Sequence, residues 1–259
     1  MTRHETFAVK SISEKDMVLA TDLDGTFLGG SDEARKQFYA WIENNRDQVG
    51  LIFVTGRDPG FVSKELRSGL PAPDYVIGDV GTTIATFDLD GHVAPIEDLE
   101  AEIAEAWGSA GLTVSSALRQ IPGLKEQSSG FRYRMSYDMD PAAFDPKALD
   151  IVAELGLDAL TSDNRFFDVL PKGVSKGPSL LRLLAYLGID NSKTLVAGDT
   201  LNDLSMLDLG LPAVAVGGSE PALIEKVKDM PHLHCAEGIG VAGIAEAILH
   251  HGLLTQKAA

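Results

Sequence analysis

The chain has 259 residues, 44% hydrophobic and 23% charged, an ordinary globular balance with room for one large domain or two smaller ones. With 22 Lys+Arg against 38 Asp+Glu, the formal net charge of −16 excludes non-specific nucleic-acid binding, which needs a basic footprint. At first sight the same charge also argues against any polyanionic ligand.

Residues 1–16 are polar and mixed, and predict loose order. Residues 17–21 (MVLAT) form a short apolar run that stops at Asp22. Further runs follow at 51–55 (LIFVT), stopping at Gly56-Arg57, and at 75–77, stopping at Gly78. Two more lie at 194–197, stopping at Gly198-Asp199, and at 211–216, stopping at Gly217-Gly218. Such runs predict buried parallel strands, apolar on both faces. Helical patterns lie between them. Residues 34–44 carry Phe38, Trp41 and Ile42 on one side, and residues 176–187 place Leu180, Leu181, Leu183, Leu184 and Leu187 on one face. Alternating strands and helices predict an α/β fold with a doubly wound, Rossmann-like parallel sheet. Ligands of such sheets bind beyond the carboxyl ends of the strands. Asp22, Asp24, Thr55, Arg57 and Asp199 gather at those ends.

The middle of the chain reads differently. Residues 131–137 (FRYRMSY) alternate strictly, with Arg132, Arg134 and Ser136 on the wetter face. Residues 146–155 predict a helix, and 158–161 with 166–170 a hairpin around a turn at 162–165. A small α+β domain is therefore expected at 94–171. It is inserted into a core of residues 1–93 and 172–259, just after a hairpin turn at 88–91 (DLDG). The apolar runs are too short to cross a bilayer, and no secretory leader is visible. Cys235 is the single cysteine, so no intrachain disulfide forms, and a reducing cytoplasm is the expected setting.

Four motifs carry chemistry. In Asp22-Leu23-Asp24-Gly25-Thr26, two carboxylates can serve one centre as nucleophile and acid/base. Thr55-Gly56-Arg57 offers a hydroxyl, backbone N–H groups and a helix start with Asp58 as cap and Pro59 first, an anion site. Lys176 opens an amphipathic helix, where a cation is unfavourable unless an anion faces it. Asp199 and Asp203, with Asn202 between them, are hard oxygen ligands of the kind that hold Mg²⁺. Each motif alone has a bland alternative as a turn, a cap or a solvated lysine. Together, at the ends of neighbouring strands, they supply what phosphoryl transfer needs.

This pattern resembles the haloacid dehalogenase superfamily of phosphohydrolases. The inserted segment is similar to the cap of its Cof-type (class IIB) branch. Residues 78–82 (GDVGT), the strand around 133–137 and 170–177 (LPKGVSKG) look most like sucrose-phosphate phosphatases. Mannosyl- and glucosyl-phosphoglycerate phosphatases, and broad hexose-phosphate phosphatases, are alternatives. The resemblance implies that Asp22 is the nucleophile, Asp24 the acid/base, and an aspartyl-phosphate the intermediate. Mg²⁺ would be held by Asp22, the Asp24 carbonyl and Asp199, with Asp203 joining directly or through a water. Thr55, Gly56 and Lys176 would bind phosphoryl oxygens with Asn202 nearby, and Thr26 would brace the first loop. Arg57 would also contact the substrate. Arg132, Arg134 and Ser136 are candidates for contacts to sugar hydroxyls or a second acidic group. A small phosphorylated sugar is the expected partner; no nucleic acid, membrane or obligatory protein partner is implied.

Two other classes compete: a non-catalytic sugar-phosphate sensor, and a receiver domain, which is much shorter and lacks an inserted segment. His232, His234 and Cys235 (PHLHC) fit no ordinary zinc spacing and predict a loop before the final strand or helix. His250-His251 predict surface, and Trp41 and Trp107 packing.

Overall fold

The apolar runs build the middle of a large sheet in the computed structural model, which describes residues 10–87, 92–128 and 132–254. Its strands are β1 (Met17–Thr21), β2 (Val49–Val54), β3 (Tyr75–Gly78), β4 (Thr83–Phe87) and β5 (Val93–Pro95). A second, smaller sheet uses β6 (Leu124–Glu126), β7 (Met135–Met139), β8 (Leu157–Ser162) and β9 (Phe166–Pro171). The chain then returns to the large sheet through β10 (Thr194–Gly198), β11 (Ala213–Gly217) and β12 (Leu233–Ile239). The large sheet has the order β12-β11-β10-β1-β2-β3-β4-β5. β12 through β3 run parallel, whereas β4 and β5 are antiparallel. The sheet is therefore mixed at one edge rather than uniformly parallel.

Alternate residues of β1 feed two cores. Val18 and Ala20 pack with Leu180, Leu183 and Leu184 of the helix Lys176–Leu187. Met17 and Leu19 pack on the other face with Phe38 and Ile42 of the helix Asp32–Asn44 and Ile244 and Ala247 of the helix Val241–His250. Helices on both faces bury β1 completely, which is why its sequence shows no polar alternation. Leu181 departs from the expected face and is 37% exposed, since it lies about 100° round the helix from Leu180, outside the arc of buried leucines.

The smaller sheet is antiparallel, in the order β6-β7-β9-β8. Tyr137, Phe167 and Val169 pack on one face with Trp107, Val114 and Val152, the last two from the helices Ala110–Leu118 and Lys147–Glu154. Ser136 pairs in register with Asp168 on the opposite face. The alternation read at 131–137 is thus real, but its ladder starts at Met135, and Phe131 lies outside the described residues. The turn expected at 88–91 also lies outside them, although β4 and β5 pair across it. β5 pairs with β4, so residues 93–95 belong to the large sheet.

PHLHC is not a loop before the last strand. His234 and Cys235 belong to β12, the outer parallel edge, with Val214 opposite His234. His234 Nε2 meets Glu246 Oε1 at 2.6 Å and its ring stacks on His250, so these groups are used in local packing. Trp41 packs on Phe38, and Trp107 is buried in the smaller sheet's core. Among the described residues, no helix is long and apolar enough to cross a membrane.

Candidate active site

Neighbouring strands β2, β1 and β10 end side by side, and each delivers a loop to one place. The Asp22 N–H donates to the Ala197 carbonyl at 2.9 Å, extending the β1–β10 ladder one residue past β1. The chain then turns sharply, with Phe27 N donating back to the Asp22 carbonyl at 3.1 Å. Gly25 permits the turn. Its φ is +80°, and a Cβ there would sit 2.1 Å from Asp199 Oδ2. Thr26 Oγ1 donates to Asp199 Oδ1 at 2.7 Å, which ties the first loop to the one after β10.

Lys176 lies beneath these loops, fully buried. Its Nζ donates to Asp22 Oδ1 at 2.6 Å, Asn202 Oδ1 at 2.7 Å and Asp203 Oδ1 at 2.7 Å. The anion expected in front of this helix start is therefore supplied in part by the protein itself. Burial opposes the lysine's charge, but Asp203 and Asp22 hold its pKa well above the usual value. Asp203 Oδ2 accepts from the N–H groups of Asp199 and Thr200, at 2.9 and 3.0 Å, which locks the β10 loop. Gly198 stands just behind, where a Cβ would meet the Asp203 side chain at 2.5 Å.

One lysine faces three carboxylates. Oxygens of Asp22, Asp199 and Asp203 all lie within 4.8 Å of one another. Burial raises the Asp22 carboxyl well above its usual range; Lys176 opposes this, while Asp203 and Asp199 add repulsion. Burial and then Asp203 push Asp199 up to about 7. A compact, charge-excess set of hard oxygens fits a divalent cation of the Mg²⁺ type. Asp22 and Asp199 line the adjoining cavity, whereas Asp203 lies below it.

Next to the cluster, the turn after β2 brings Thr55, Gly56 and Arg57. Thr55 is buried, and its Oγ1 accepts from the Arg57 N–H at 3.1 Å. Arg57 holds Asp24 through Nε and Nη2, at 2.8 and 2.9 Å. Pro59 opens the following helix, Pro59–Glu65, as expected, but the Asp58 side chain makes no capping bond.

A cavity of about 640 Å³ opens between this cluster and the smaller sheet. Asp22, Asp24, Gly56, Arg57, Asp199 and Asn202 line one side; Arg134, Ser136 and Asp168 line the other. Ser136 Oγ donates to Asp168 Oδ1. Arg132 does not line the cavity. It is drawn away by Glu100, with bonds of 2.7 and 2.8 Å, and by Thr83 at 3.2 Å. Sequence reasoning missed Asp168, Arg165, Ser162 and Gln127, which also line the cavity. The signal for Asp168 was present: a lone carboxylate inside the apolar strand 166–171 (FFDVLP) needs a buried partner.

Residues 15–252 match the family model for sucrose-6F-phosphate phosphohydrolase. The chain belongs to that family. It is therefore a member of a phosphohydrolase family. It is 41% identical over 243 residues to glucosylglycerol-phosphate synthase of Pseudomonas anguilliseptica, a match covering 93% of this chain and 31% of that protein. The chain thus spans about a third of that relative's length. It is 28% identical to mannosylfructose-phosphate phosphatase of Agrobacterium fabrum, over 91% of this chain and 97% of that one. The fold is that of the sucrose-phosphatase of Synechocystis sp. PCC6803, solved with sucrose and phosphate, at a TM-score of 0.83. That likeness covers 93% of this chain and 100% of the other at 24% identity.

Proposed function

We propose that this protein is a Mg²⁺-dependent phosphatase that releases phosphate from a small phosphorylated glycoside. Sucrose 6-phosphate, or a similar glycoside phosphate, is the substrate class. The observation that carries the reading is the position of Asp22. It lies at the floor of a sugar-sized cavity, bonded to buried Lys176 and grouped with Asp199 and Asp203. The relatives' names support a glycoside, since mannosylfructose phosphate and glucosylglycerol phosphate each join a sugar to a second sugar or a polyol.

In the reaction, an Asp22 oxygen attacks phosphorus in line with the ester oxygen. The P–O bond to the sugar breaks, and Asp24 gives its proton to the departing alkoxide. An aspartyl-phosphate remains on Asp22. Asp24, now a carboxylate, takes a proton from water as that water attacks phosphorus. Inorganic phosphate leaves and Asp22 is restored. Thr55 and Gly56 hold phosphoryl oxygens through the sequence, with Arg57 and Asn202 beside them; Lys176 joins them by giving up one of its three bonds, to Asp22, Asn202 or Asp203. Mg²⁺, held by Asp22, the Asp24 carbonyl and Asp199 with help from Asp203, would neutralise charge between the carboxylate and the phosphoryl group.

The smaller sheet and its helices, between Pro95 and Pro171, are the substrate-selecting cap in this reading. Arg134, Ser136 and Asp168 face the reacting groups from it. A cytoplasmic setting suits the exposed free thiol of Cys235. The test is a Mg²⁺-dependent hydrolysis screen of sucrose phosphate, glycosyl phosphoglycerates, trehalose phosphate and simple hexose phosphates. One ester with a far higher kcat/KM supports the reading. Tight binding without turnover at saturating Mg²⁺ would replace it with a sensor.

A further inference from the structure

The turn that carries Thr55 has its three successive carbonyls engaged in an unusual way. Thr55 O accepts from Val80 N at 3.2 Å, and Arg57 O accepts from Asp79 N at 2.9 Å. These donors come from the adjoining loop of the same sheet. The middle carbonyl, Gly56 O, accepts instead from Nη2 of Arg134 at 3.1 Å, a side chain from across the cavity. Arg134 is 5% exposed, so its charge is held almost dry. One guanidinium nitrogen lies 3.5 Å from Asp168 on its own sheet, the other 3.5 Å from Asp79 on the large sheet. Asp168 is braced by Ser136, and Asp79 by Thr83 at 2.6 Å. Asp79 and Val80 reach their donor positions only by adopting left-handed backbone, with φ of 53° and 58°. For β-branched Val80 that conformation is strained.

The Gly56 carbonyl and the Arg57 N–H belong to one planar peptide. Its oxygen is fixed by Arg134, and its N–H is fixed on Thr55 Oγ1. A hydroxyl that accepts there keeps its own proton for another acceptor. The same peptide leads into Arg57, whose guanidinium holds Asp24. Arg134 therefore reaches the Thr55 hydroxyl through one rigid peptide, and that peptide also sets the point from which the Arg57 side chain extends to Asp24.

We propose that Arg134 is a positioning residue for phosphoryl transfer, completing the phosphate turn by holding the Gly56 carbonyl, rather than a contact to the sugar. Asp168 and Asp79 hold its guanidinium in place, one from each sheet. The inference rests on the phosphatase reading above. It departs from the expectation that Arg134 reads sugar hydroxyls.

The test compares Arg134→Gln and Asp168→Asn with wild type on two esters, a sugar phosphate and p-nitrophenyl phosphate, which has no sugar. Affinity for inorganic phosphate with Mg²⁺ is measured by calorimetry in parallel. Arg134→Gln should lower kcat by about 100-fold, by the same factor on both esters, and weaken phosphate binding. Asp168→Asn should lose less, with the same indifference to the sugar; it carries the test if Arg134→Gln does not fold. A loss confined to the sugar ester, expressed mainly in KM, overturns the proposal. Unchanged kcat in both variants does so as well. Should wild type hydrolyse neither ester, the phosphatase reading falls. The phosphate affinities then decide the inference, and equal values overturn it.

Discussion

Arg57 and Asp24 face each other as a two-point ion pair, with both carboxylate oxygens held at 2.8 and 2.9 Å. The pair links the turn after β2 to the loop after β1. Hydrogen bonding to Asp24 is the main reason the Arg57 pKa lies above its usual value. The proposed proton transfer needs one of these oxygens free. An incoming phosphate gives Arg57 a competing anion and can release one of them. Arg57→Gln should therefore lower kcat/KM by about 10- to 100-fold, the scale of a lost hydrogen bond to a charged group. The pair is half exposed, so stability should change by no more than about 1 kcal/mol. Unchanged kcat/KM would remove Arg57 from the site.

In the proposed reaction Asp22 carries the phosphoryl group while Asp24 moves protons in both steps, and two amide variants separate them. Asp22→Asn should lose turnover by roughly 10⁴-fold or more, since no other nucleophile lies in its place. Asp24→Asn removes the group that activates water. With p-nitrophenyl phosphate, whose leaving group needs little protonation, it should release one equivalent of nitrophenol and then stall. Rapid-quench kinetics and intact-protein mass would detect the burst and the retained phosphoryl group. Steady hydrolysis by Asp22→Asn would eliminate the covalent route.

Lys176 is placed to stabilise the fold as well as to serve the proposed reaction. Removing it leaves Asp22 and Asp203 buried together beside Asp199. Loss of one member of a buried ion pair costs about 3–5 kcal/mol. Lys176→Met should be destabilised by that order in metal-free buffer at pH 8, read from urea midpoints. Added Mg²⁺ should recover part of the loss, because a cation can meet the same carboxylates. A variant as stable as wild type without metal would mean that the lysine and carboxylates are not mutually compensating.

The central strands were legible in the sequence because layers on both faces make them uniformly apolar; β1 and β10 read directly as MVLAT and TLVAG. Their carboxyl ends located Asp22, Thr55 and Asp199 for the same reason. The edges were not legible. β12 (LHCAEGI) is only partly buried and carries a histidine and a glutamate, so its pattern imitates a loop. β5 and β6 have three residues each, too few to show a period. Arg132 and Arg134 looked equivalent, two residues apart on one face. Glu100, far away in the chain, captures Arg132, while Asp168, opposite Ser136 in the β7–β9 register, lies beside Arg134. Only the three-dimensional pairing separates their roles.

Asp199 should give the metal-free site a pH signature that a bound divalent cation would remove. Burial and Asp203 hold its pKa at about 7, against an ordinary value of 3.8. Between those values the metal-free native state keeps a proton that the unfolded chain has lost. Stability in that window must therefore fall as pH rises, because the native state binds more protons. Asp22 is shifted in the same direction and adds to the effect. A divalent cation takes the carboxylates ionised, so it competes with the proton. Mg²⁺ should bind weakly near pH 6 and more tightly near pH 8, releasing protons to buffer in the lower range. Urea titrations in chelator should show the midpoint dropping from pH 5 to pH 7.5, with saturating Mg²⁺ removing the drop. Calorimetry in buffers of different ionisation enthalpy would count the released protons. A metal affinity independent of pH across this range would show that Asp199 is already ionised without the cation. The excess negative charge would then not be what recruits the metal.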